Sequence, residues 1–95
     1  MSEEAQCASS TMSQLEQTIV DRARAHLAGV SVFYIRAKAG TAEEVDRRGY
    51  ERDHAAMNAL LELGHWRDGG MSEAGRSALL AVEVEAAVAL RDYCS

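Results

Sequence analysis

The chain has 95 residues, 10 Lys and Arg against 15 Asp and Glu, and a formal net charge of −5. A domain of this size buries only a modest core, so oligomerisation is a common supplement. The acidic balance removes any general attraction for nucleic-acid phosphates or anionic lipid, and it is too mild and too mixed with Arg for a DNA mimic. Pro is absent and only five residues are aromatic (Phe33, Tyr34, Tyr50, Trp66 and Tyr93). Ala, Leu, Glu and Arg dominate, which favours helix.

Residues 1–12 read as a flexible polar tail, and residues 13–95 as a single helical domain. The tail starts acidic and lacks the basic-then-apolar order of a signal peptide. No apolar run reaches the ~18–20 residues of a membrane span. A cytoplasmic protein without nucleic-acid or membrane partners is expected. Cys7 and Cys94 fall near opposite ends of a three-helix antiparallel bundle, roughly 30 Å apart, too far for a disulfide. Two free thiols are expected.

From Gln14 to Lys38 the apolar positions recur at spacings of three and four, which predicts a helix. Ser10, Thr11 and Ser13 can each cap its start. Its expected core face is Leu15, Ile19, Ala23, His26, Leu27, Val30, Phe33, Tyr34 and Ala37, with His26 as a hydrogen-bonded core histidine. The segment Val30–Ile35 has strand-like composition, but the helical phase runs through it unbroken and no second strand offers a partner. Gly40 ends the helix. Thr41-Ala-Glu-Glu44 has the form of a capping box and predicts a second helix from about Ala42 to His65, with Val45, Gly49, Ala56, Leu60 and Leu63 inward. Gly64 and Arg67-Asp-Gly-Gly70 mark its end and a turn. Ser72 is the expected cap of a third helix reaching about Tyr93, with Met71, Gly75, Ala78, Leu79, Val82, Ala86, Ala89 and Tyr93 inward. The lengths predict an all-α fold: a long helical hairpin plus a third helix.

Two helices carry more apolar surface than one copy can hide. On a wheel at ~100° per residue, Ala28, Val32, Ile35 and Ala39 lie opposite the first helix's core face. On the third helix Leu80, Ala81, Val84 and Val88 form a second stripe, with Glu83 and Glu85 in the gaps. Soluble monomers seldom expose such patches. The expected interface residues are Val32, Ile35, Ala39, Leu80, Val84 and Val88. Trp66 is a further candidate anchor, since Trp is frequent at interface hot spots. A symmetric homodimer is the default arrangement.

Two Glu-x-x-His pairs, Glu51/His54 and Glu62/His65, place a carboxylate and an imidazole on one side of a helix, where they could share a metal. They lie ~16 Å apart along the axis and cannot bind one cluster together. The string Tyr50-Glu-Arg-Asp-His-Ala-Ala-Met57 resembles the iron-binding helix of ferritin-like proteins, and most of all the encapsulated ferritins. That resemblance implies iron as cofactor and Glu51 and His54 as ligands, with the site completed across a subunit interface. The family's Glu on the preceding helix has no counterpart: Ser31, Val32 and Phe33 stand at that level. Three helices in about 95 residues are also similar to the all-helical chorismate mutases, with Arg36, Lys38, Arg52 and the Leu63-Gly64 break in comparable places. That likeness implies mutase chemistry. Leu27 stands where such enzymes carry an Arg, and Ala or Arg91 where they carry a Gln.

The remaining features point to no reaction. Cys7 lacks a visible His partner for a catalytic thiol, and Gly69-Gly70 is a turn and no phosphate loop. The basic residues Arg22, Arg24, Arg36, Lys38, Arg47, Arg48 and Arg52 interleave with acids as a mixed solvated face. The expected function is therefore that of a small regulatory protein without a cofactor. It would pair with itself and bind and inhibit or modulate a larger, unspecified protein through an apolar helical face. The metal-binding ferritin-like protein is the alternative, and the mutase-like enzyme the third reading.

Overall fold

The computed structural model describes residues 12–65 and 70–95. They form three helices, α1 (Gln14–Ala39), α2 (Glu44–His65) and α3 (Glu73–Cys94), with no strand among the described residues. The expected all-α class and the three helices are therefore present. The tail up to residue 11 with Cys7, Trp66, and residues 67–69 of the expected turn lie outside the described residues. Cys94 is exposed and has no disulfide partner among the described residues.

Capping decides the helix boundaries. Ser13 is the cap of α1: its hydroxyl accepts from the Glu16 N–H at 3.1 Å, and the Ser13 N–H donates to Glu16 Oε1 at 2.9 Å. This reciprocal pair is a complete capping box. Gly40 ends α1 at φ 78°, a left-handed conformation that costs a side-chain-bearing residue strain.

The expected capping box at Thr41–Glu44 does not form. Thr41 closes the helix behind it, donating its N–H and hydroxyl to the Arg36 carbonyl at 2.8 and 3.2 Å. Glu43 takes the cap position of α2. Its carbonyl accepts from the Arg47 N–H at 3.1 Å and its N–H donates to Asp46 Oδ2 at 2.9 Å. Thus α2 begins two residues later than Ala42. Ser72 caps α3 as expected, accepting from the Gly75 N–H at 3.1 Å.

The core is a single column of Val20, Ala23, Leu27, Val30, Tyr34, Met57, Leu61, Leu79 and Val82. On α3 the expected inward positions hold: Gly75, Leu79 and Val82 are buried, with Met71, Ala78, Ala86, Ala89 and Tyr93 packed against them. On α1 the expected face holds at Ala23, Leu27, Val30 and Tyr34, with Ile19 and Phe33 packed against the core, and departs only at the helix start; on α2 it is rotated by about one residue. The inward row of α1 is Glu16, Val20, Ala23, Leu27, Val30 and Tyr34, while Leu15 is exposed. On α2 it is Met57 and Leu61 that are buried, and Val45 and Leu63 are exposed. The cause on α1 is a carboxylate. Glu16 is on the buried row because it is fully hydrogen-bonded there, so an acid marks the inside and a leucine beside it the outside.

Polar cross-links set the pairing of the helices. Arg36 meets Asp46 at 2.7 Å and His26 meets Asp53 at 2.9 Å, so positions further back along α1 lie beside positions further along α2. Between α1 and α3, Glu16 reaches Ser72, Arg24 reaches Glu85 and Lys38 reaches the Asp92 carbonyl. The start of α1 therefore lies beside the start of α3, and the end beside the end. The molecule measures 55 × 22 × 21 Å.

Candidate functional site

Among the described residues, the six expected at an interface are on the outside. Val32, Ile35, Leu80, Val84 and Val88 are 39–69 % exposed, and Ala39 is exposed. Their exposure follows from phase. Each core row occupies one arc of its helix, and Val32, five residues beyond Leu27, is turned ~140° from it. The structure does not gather all six into one patch. Val32 lines a shallow concavity with Val45 and Gly49, where α1 passes the start of α2. Ile35 borders another, of about 290 Å³, against Ala89 and Asp92 of α3. Stacked Tyr34 and Tyr93, with centroids 4.8 Å apart, also line it, and so does Lys38, which donates to the Asp92 and Ser95 carbonyls at 2.7 and 3.1 Å. On α3, Leu80 lies toward α2 beside Leu61 and Gly64. Val88 shares the α1 flank with Glu85 and Asp92, three residues before and four after it. Val84 lies between these flanks. Of these residues, Leu80, Val84 and Val88 form a row on α3, while Val32 and Ile35 lie in two separate grooves beside α1.

Three of the four residues of the Glu-x-x-His pairs, Glu51, His54 and His65, have other partners. Glu51 accepts from Arg47 at 2.6 Å, and Arg47 also grips Glu44. His54 stacks on Tyr50 at 5.3 Å and lies 3.4 Å from the Asn58 amide. Tyr50 in turn stacks on Phe33 at 4.6 Å, filling the level of α1 where a third ligand would stand. His65 pairs with Glu83 of α3 at 2.8 Å. Among the described residues no three His, Cys, Asp or Glu side chains are grouped around a common point. The residues that resemble mutase positions do not converge either. Arg36 is paired with Asp46 on the α2 side, Lys38 holds the end of α3, and Arg52 is exposed.

Much of the charged surface is internally paired. Arg24, Arg36, Arg47 and Arg48 each meet a carboxylate. Hydrogen bonding to Arg47 holds the Glu44 carboxyl below its ordinary value. The Glu43 N–H does the same for Asp46, helped by Arg36. Burial, together with the Tyr50 hydroxyl, pushes the pKa of Tyr34 well up.

Two features are not apparent from sequence periodicity. His26, expected in the core, is half-buried and hydrogen-bonded to Asp53 across the α1–α2 seam. Its partner lies 27 residues away, where no local pattern reaches. Glu16 joins α1 to α3, accepting from the Ser72 N–H and, at 3.1 Å, from its hydroxyl. The backbone N–H groups of Ser13 and then Ser72 hold its carboxyl below the ordinary value. Gly75 makes room for it: a Cβ there would stand 2.8 Å from Glu16 Oε2. The pattern Ser13-x-x-Glu16 was a readable signal for the first half of this arrangement.

No helix among the described residues is long and apolar enough to cross a membrane. Comparison of the chain with family models, curated proteins and solved structures found no match.

Proposed function

We propose that this chain is a small helical regulatory protein of the cytoplasm: an antiparallel three-helix bundle that pairs with a second copy and binds, and so inhibits or modulates, a larger protein. The observation that carries the reading is the exposure of Val32, Ile35, Leu80, Val84 and Val88 on helices whose opposite faces already fill the core. Burying one such side chain fully contributes about 1.5–3 kcal/mol. Several together are comparable with the whole stability of a small domain, roughly 5–15 kcal/mol. The net charge of −5 and the internal pairing of Arg24, Arg36, Arg47 and Arg48 favour a protein partner over a nucleic acid.

The test is the double variant Val32→Glu/Val84→Glu. Both positions are exposed, so helicity by circular dichroism should stay near wild type, while the added charges abolish association. Sedimentation that gives the same associated mass for variant and wild type refutes the reading.

A further inference from the structure

The back of α3 carries a row that is complementary to itself. Glu73, Ser77, Leu80, Val84, Ala87 and Arg91 follow one another at spacings of four and three, the repeat that keeps one line along a helix. All six are exposed. Read from either end, the row is centred on Val82. Glu73 is as far from that centre as Arg91, Ser77 as far as Ala87, and Leu80 as far as Val84.

We infer that two copies pair through α3 running antiparallel, back to back about Val82. The inference rests on the proposed self-association and specifies its geometry. In that arrangement Leu80 of each copy packs against Val84 of the other. The small Ser77 and Ala87 let the helices approach on either side. Glu73 of each copy meets Arg91 of the other at the two ends, about 27 Å apart. A parallel pairing sets Glu73 against Glu73 and Arg91 against Arg91, so the charges select the antiparallel one. Among the described residues neither side chain is in an ion pair within its own chain. The grooves beside α1 stay open in this pair, which leaves them to the larger partner.

The test uses the full chain and two charge reversals, Glu73→Arg and Arg91→Glu, in sedimentation velocity over a concentration series. Each reversal alone places like charges at both ends and weakens self-association about tenfold. An equimolar mixture of the two variants recovers wild-type affinity, because only the mixed pair has opposite charges at both ends. Each reversal also works against the α3 dipole, so helicity is measured alongside. If a reversal lowers helicity, Glu73→Gln and Arg91→Gln replace it, with an expected weakening of about threefold. Self-association that no charge change moves overturns the antiparallel α3 pairing and leaves the proposed interaction through Val32 and Val84 standing. A wild-type chain that remains monomeric at about 1 mM overturns the pairing and the homodimer together.

Discussion

Leu79 and Leu80 are adjacent and chemically identical, yet Leu79 is 1 % exposed and Leu80 55 %. Composition does not distinguish them; the rotation of α3 about its own axis does. That rotation is gripped at the helix start, where Glu16 holds the N–H and hydroxyl of Ser72 and its carboxylate fits over Gly75. The inner side of α3 is thus positioned by a polar contact and filled by apolar ones. The outer side carries similar residues, Leu80, Val84 and Val88, which remain 39–55 % exposed. Folding accounts for one side of the helix, and the proposed association would account for the other.

The largest effect that sharpens this contrast is Leu79→Ala. Truncating a fully buried leucine should lower unfolding free energy by about 2–5 kcal/mol in urea titrations. A cost near zero would mean that α3 is rotated from the orientation described. Next in size is Glu16→Gln, which keeps the shape of the clasp and removes its charge. Because the folded carboxyl sits below its ordinary value of 4.5, the unfolded chain takes up the proton first. The stabilisation is complete well above 4.5 and fades as the pH falls through the folded value. Wild-type melting temperature should therefore drop on acidification, and the variant should start lower and fall less steeply. Some slope should remain, since Glu44 and Asp46 are displaced in the same direction. Parallel curves for the two proteins would show that Glu16 does not contribute through its charge. The smallest effect on folding is that of Leu80→Ala, within about 0.5 kcal/mol. The same change should weaken self-association measurably, which Leu79→Ala at matched folded fraction should not.

The sequence was most legible where charges bracket the apolar rows. On α3, Glu83 and Glu85 separate the inner row from the outer one, and the periodicity alone tells buried from exposed positions. On α1 two apolar rows lie side by side, and the acid belongs to the inner one. Leu15 and Ile19 outweigh Glu16 and Val20 on any hydropathy wheel, until the Ser72 contact, 56 residues away, is known. On α2 the inner side includes half-buried Asp46 and Asp53, each with a partner on α1, so the row loses its apolar signature. Thr41-x-x-Glu44 and Ser13-x-x-Glu16 present the same local pattern. Only the second forms, because Thr41 is drawn to the open carbonyl of Arg36. The exposure of Val32, Ile35, Leu80, Val84 and Val88 is legible residue by residue, from phase alone. Their division into an α3 row and two grooves depends on how the helices are placed around one another.

At 55 × 22 × 21 Å, the molecule is only about two helix diameters across. Its interior is a narrow stack of layers, like rungs between three rails, built from nine buried side chains of all three helices. Each rung is flanked only by partly buried residues such as Phe33, Tyr50, Ala86 and Tyr93. A gap opened at Val30 or Leu79 thus lies close to the surface. Tolerance to change in this protein should therefore vary rung by rung along its length, in place of the smooth gradient from centre to surface of a rounder domain.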